Sequence, residues 1–131
     1  MLTTQERNRR YLDTHREESR VRSFEYRQKH PEYCREYHRR ARLEALEHYG
    51  GSPPKCNCCG ETEFMFLTLD HVDGNGREMR RKNSIKSSGI YEFLRKRGYP
   101  EGYRVLCYNC NCSIGNFGYC PRNGGSDGKK C

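Results

Sequence analysis

Apolar residues in this chain fall into short clusters set between long polar stretches, and each cluster predicts one small element. Thr3 and Glu6 have capping-box spacing and predict a helix start. Pro31 suits the first turn of a second helix, and Gly50-Gly51 would end it. Leu43, Leu46 and Tyr49 form an apolar stripe that either docks this helix on the next domain or pairs the two helices. Residues 64–69, rich in aromatic and aliphatic side chains, read as a strand. Residues 73–76 (Asp-Gly-Asn-Gly) read as a turn, and the polar, basic run 77–88 as a long loop. Residues 90–94 predict a short helix capped by Ser87 or Ser88 and stopped at Gly98-Tyr99-Pro100. Residues 103–106 predict a second strand. A third helix opens at Asn111, kept short by Gly115 and Gly118. The tail after Arg122 reads as flexible. The resulting order is a basic helical arm at 1–49, a compact α+β domain at 50–122 and a disordered tail at 123–131.

Composition narrows the possibilities. Of 131 residues only 33% are hydrophobic and 32% are charged, so a large core is out of reach and a staple or partner is needed. The net charge of +8 and pI of about 9.1 favour a polyanion, nucleic acid being the commonest. No run approaches the roughly 18–20 apolar residues of a membrane span, and no apolar signal-like segment opens the chain. Nine cysteines, an odd number, fit reduced cytoplasmic thiols that bind metal better than a secreted disulfide framework.

The arm carries a weak internal repeat. Tyr11, His15, Glu17 and Arg20 recur fifteen residues on as Tyr26, His30, Glu32 and Arg35. Two similar helical units presenting Tyr and Arg suit a surface that tracks phosphates. A solvated helix without a ligand is the competing reading. The helices are also a candidate homodimer surface.

Two C-x-x-C pairs, Cys56/Cys59 and Cys107/Cys110, have the spacing of a tetrahedral four-cysteine zinc site. Two residues between thiols let a tight turn aim both at one ion. Cys58 and Cys112 sit beside these pairs, but adjacent cysteines do not easily converge on one ion. Cys34, Cys58, Cys112, Cys120 and Cys131 are therefore expected to be free, and a second metal at Cys120 and Cys131 has poor support.

Asp70-His71 lies between the pairs, and Asn111 comes directly after the second. Phosphodiester hydrolysis needs a base for water, and a neutral His serves near pH 7. It also needs a hard cation on oxygen ligands, to neutralise the phosphate and stabilise the leaving oxygen. Asp70 and Asn111 offer those oxygens and His71 the base. Taken singly, each has a structural explanation, as a turn or helix cap.

Three stretches, 56–59, 67–76 and 102–111, together resemble the HNH, or ββα-metal, nucleases, most of all the phage recombination endonuclease VII branch. The resemblance covers about half the chain. It implies a small zinc-stapled ββα-metal, treble-clef-like domain, with structural zinc on Cys56, Cys59, Cys107 and Cys110. It implies a catalytic divalent cation, usually Mg2+, on Asp70 and Asn111, with His71 as the general base. The same likeness implies a phage or prophage source and action on DNA inside a bacterial cell. Many HNH proteins have His where this chain has Asn111; the endonuclease VII branch has Asn. Many also place Asn where this chain has Gly102, and Asn75 is the candidate substitute.

The expected function is metal-dependent DNA cleavage, with Arg77, Arg80, Arg81, Lys82, Lys86 and Arg104 as DNA contacts. The alternatives are a non-catalytic zinc DNA-binding module and an RNA-binding zinc protein. Both share the cysteines and the charge but have no use for Asp70, His71 and Asn111 together.

Overall fold

The computed structural model describes residues 1–86 and 89–123. The chain is mixed helix with one small sheet, α+β in character. It divides into two compact units, residues 1–37 and 38–131. The sequence placed its boundary at the Gly50 hinge; this division falls inside a helix instead. Asn123, the first residue of the expected tail, belongs to a 3-10 turn (Pro121–Asn123); the rest of that tail, 124–131, and the Ser87 and Ser88 caps lie outside the described residues.

The first unit holds α1 (Thr4–Lys29) and the start of α2 (Pro31–Gly50). α1 begins as the capping box requires: Thr3 Oγ1 accepts from the Glu6 N–H at 3.3 Å, and the Thr3 N–H donates to Glu6 Oε2 at 2.7 Å. His30, restricted by the proline after it, leaves helical geometry at φ −129° and ψ 59°, and α2 starts at Pro31. No residue of α1 is buried. The repeat reappears as geometry. Tyr11 stacks on His15 at 3.9 Å, and Tyr26 meets His30 at 4.4 Å. The second half of each unit diverges, since Arg20 pairs with Glu17 whereas Glu32 pairs with His30.

The second unit is built on a two-stranded antiparallel sheet, β1 (Leu67–His71) with β2 (Tyr103–Cys107). Leu67 faces Cys107, Asp70 faces Arg104 and His71 faces Tyr103. The strand expected at 64–69 is displaced. Phe64–Phe66 forms a 3-10 turn, capped by the Glu63 carboxylate, with Met65 and Phe66 exposed. The loop expected at 77–88 contains a helix, α3 (Gly76–Lys82). It exposes almost all its side chains, so no apolar stripe announces it. Next comes α4 (Ile90–Lys96), with Gly89 at its N-cap. α5 (Tyr108–Phe117) starts directly after β2 with Cys107 as N-cap, so Asn111 is its fourth residue rather than its first.

The buried cluster is small: Leu46, Leu67, Val105 and Leu106, joined by Cys56, Cys107, Cys110 and Cys120. Half of its residues are cysteines. The C-terminal half of α2 docks on this unit through Ala41, Ala45 and Leu46 rather than through the whole expected stripe. Tyr49 is half-buried, donates its hydroxyl to the Pro100 carbonyl at 2.6 Å and packs its ring 5.5 Å from Tyr103. Gly50 passes so close to Val105 that a Cβ there would lie 2.8 Å from its side chain. Among the described residues, no helix is long and apolar enough to cross a membrane.

Candidate functional site

The four expected cysteines converge. A tight knuckle supplies the first two: the Gly60 N–H donates to the Cys56 carbonyl at 3.0 Å, and the Cys56 N–H to the Glu61 carbonyl at 2.8 Å. Gly60 takes φ +77°, which a side chain would resist. The Asn57 N–H donates to the Val105 carbonyl at 2.8 Å, tying the knuckle to β2. Cys107 ends β2, and Cys110 sits one turn into α5. The four sulfurs lie within 4.8 Å of one another, and those of Cys59 and Cys107 are 3.7 Å apart. A tetrahedral site with Zn–S of about 2.3 Å has S···S edges of about 3.8 Å. The cluster can therefore hold a metal such as zinc. Burial raises the Cys59 thiol, yet the Glu61 N–H and the sulfurs of Cys110, Cys56 and Cys107 outweigh it and bring it down to about 7. Burial and the surrounding sulfurs push Cys110 the other way.

Two cysteines expected to be free belong to the same neighbourhood. Cys58, Cys110 and Cys120 also place their sulfurs within 4.8 Å of one another, and Cys120 Sγ is 3.5 Å from Cys110 Sγ. Gly118, at φ +78°, ends α5 with its N–H on the Ile114 carbonyl, and the reversal returns Cys120 to the cluster. The sequence offers Cys120 only a weak pairing with Cys131, because it is the turn that brings Cys120 back to Cys58 and Cys110. None of the eight described cysteines is in a disulfide.

Asp70 and His71 are successive strand residues, so their side chains leave opposite faces of β1. Asp70 meets its cross-strand neighbour: Arg104 Nε and Nη2 each donate to Oδ2 at 2.9 Å. Oδ1 accepts no hydrogen bond among the described residues. The His71 ring packs 4.7 Å from that of Tyr103 and lies directly against Gly76 at the start of α3. Its Nε2 is buried with no hydrogen-bond partner among the described residues. Burial lowers its pKa, the Arg80 guanidinium lowers it further, and the Asp70 carboxylate opposes them without prevailing.

His71 also lines an open cavity of about 360 Å³, together with Arg42, Thr68, Leu69, Arg80, Ile90, Tyr91 and Tyr108. Arg42 was not singled out in the sequence. It donates through Nη2 to the Leu67 carbonyl at 2.6 Å and lies over the Phe64 ring. Its Nε is buried and unpaired among the described residues. Two arginines and an uncharged imidazole thus border one concave surface.

Asn111 is partly buried and makes no side-chain hydrogen bond among the described residues, so its amide oxygen is uncommitted. Neither Asp70 nor Asn111 borders the His71 cavity. In donor chemistry, Asp70 Oδ1 and Asn111 suit a hard divalent cation. The Arg104 guanidinium already supplies positive charge to that carboxylate and competes with such an ion. Of the expected DNA contacts, Arg77, Arg80, Arg81, Lys82 and Lys86 are exposed on or just after α3, whereas Arg104 is only partly exposed and engaged with Asp70.

Comparison with family models, curated proteins and solved structures returns no match to this chain.

Proposed function

We propose that this chain is a metal-dependent DNA endonuclease of the HNH, or ββα-metal, type. The observation that carries the reading is the setting of His71. It is an imidazole held in its neutral form, with an unpartnered buried nitrogen, on a cavity bordered by Arg42 and Arg80. Buried polar atoms are normally satisfied, and an orphan calls for a functional explanation. The succession β1, β2, α5, with thiolate pairs before β1 and at the β2–α5 junction, supports a zinc-stapled ββα architecture.

In this reading Cys56, Cys59, Cys107 and Cys110 hold structural zinc. Asp70, through Oδ1, and Asn111 would hold the second cation, Mg2+ or a similar ion. When bound, that ion supplies charge neutralisation at the phosphate and at the leaving oxygen. His71 takes the proton from the attacking water. Arg42 and Arg80 offer charged donors to the phosphate oxygens. Arg77, Arg81, Lys82 and Lys86 grip the flanking backbone, which makes binding steeply salt-dependent.

Two observations favour a second reading. Neither Asp70 nor Asn111 borders the His71 cavity. The Asp70–Arg104 pair gives the carboxylate a structural use, as in a zinc module that binds DNA without cutting it. Nicking of supercoiled plasmid with and without Mg2+ separates the two. The wild type should nick only with Mg2+, and His71→Ala should abolish nicking while keeping zinc and DNA binding. Full cleavage by the variant removes His71 from the mechanism. Binding without cleavage by the wild type leaves the non-catalytic module.

A further inference from the structure

We propose a second thiolate-held ion of the zinc class, bound by Cys58, Cys110 and Cys120, with the Cys110 sulfur bridging it to the ion in the four-cysteine site. The inference rests on the reading that the four cysteines hold zinc. It is independent of any nuclease activity.

The backbone builds this site as deliberately as it builds the first. The knuckle that presents Cys56 and Cys59 carries Cys58 between them. The Gly118 reversal brings Cys120 back to Cys110, with the sulfurs at 3.5 Å. That separation is close to the edge of a metal–thiolate tetrahedron, about 3.8 Å for Zn–S of about 2.3 Å. All three sulfurs lie within 4.8 Å of one another, and Cys110 is common to both groups. A thiolate bound to one zinc keeps lone pairs for another, so the two sites share a corner. Among the described residues no further His, Cys, Asp or Glu joins the second group. Six thiolates and two Zn2+ leave two negative charges, and the Arg122 guanidinium, which interacts electrostatically with Cys59, Cys107 and Cys110, offsets part of that excess. The competing arrangement is a single ion with Cys58 and Cys120 as neutral thiols beside it.

The two arrangements differ in a count. The parent for the test is the full chain with Cys34, Cys112 and Cys131 replaced by serine, which removes every cysteine outside the six. After zinc loading under reducing conditions and gel filtration, native mass spectrometry should find two zinc ions per chain. Cys58→Ser and Cys120→Ser should each leave one. A zinc-selective chelator should strip the parent in two phases, an arm that needs neither variant to fold. One zinc in the parent, or two retained in both variants, overturns the proposal and leaves the four-cysteine site intact. No zinc at all overturns both.

Discussion

Gly76 touches the His71 imidazole so closely that a Cβ at position 76 would lie 2.5 Å from Nδ1 and 2.9 Å from Cε1. The ring is stiff and also packed against Tyr103, so it cannot yield by a small rotation of a flexible tip. Gly76→Ala should therefore displace His71. Overpacking of this kind costs about 1–3 kcal/mol, readable as a lower denaturation midpoint. On the nuclease reading, cleavage falls by roughly tenfold or more, as expected of a base moved out of hydrogen-bond reach, with zinc content unchanged. A Gly76→Ala chain that cuts DNA at the wild-type rate would show that the ring's position does not matter.

The Asp70–Arg104 pair joins cross-strand neighbours, with side chains only 20% and 17% exposed. A double-mutant cycle with Asp70→Asn and Arg104→Gln should give a coupling of about 1–2 kcal/mol, measured by chemical denaturation. The same variants probe the cation. If Asp70 is a metal ligand, Arg104→Gln removes a competing charge and tightens Mg2+ binding severalfold by calorimetry. Unaltered Mg2+ binding would count against Asp70 as a ligand.

Some of the structure was legible in the sequence because its cause is local. The Thr3–Glu6 box, the His30-Pro31 break and the two cysteine pairs act over a few residues, and each stands where it was expected. The strand lies at Leu67–His71 rather than 64–69 because hydrophobic side chains here are not all buried. Phe66 and Met65 are exposed, and pairing with β2 shifts the strand onto Asp70 and His71. α3 was invisible because its buried contact is a glycine. Arg42 and Cys120 were missed for a different reason: only tertiary return brings them beside Leu67 and Cys110.

His71 should titrate below the ordinary imidazole value of about 6.5 in zinc-loaded protein without Mg2+, as read by its ring proton shifts. Burial is the largest cause and Arg80 the next, so Arg80→Ala should move the midpoint upward. Folding favours the neutral ring, so this group's contribution to stability is full above about pH 6.5 and is lost as pH falls through the lowered folded value. A midpoint at or above 6.5 would mean the ring is solvated, contrary to its packing.

On the reading that the four cysteines hold zinc, removing the ion should unfold the second unit. Structural zinc sites contribute about 10–16 kcal/mol, comparable to the whole stability of a small domain at about 5–15 kcal/mol. The buried apolar residues beside the thiols are few: Leu46, Leu67, Val105 and Leu106, with Ala41, Ala45 and Leu94. A strong chelator at neutral pH should abolish amide-exchange protection across β1 and β2. Protection that survives chelation would show that the apolar cluster suffices.

Cys107 closes β2, occupies the N-cap position of α5 and presents a sulfur to the cluster. One side chain is thus the rivet through three layers of the design. On the zinc reading, assembly of this half of the molecule is tied to the supply of that ion, and a cell starved of it would make the polypeptide without making the protein.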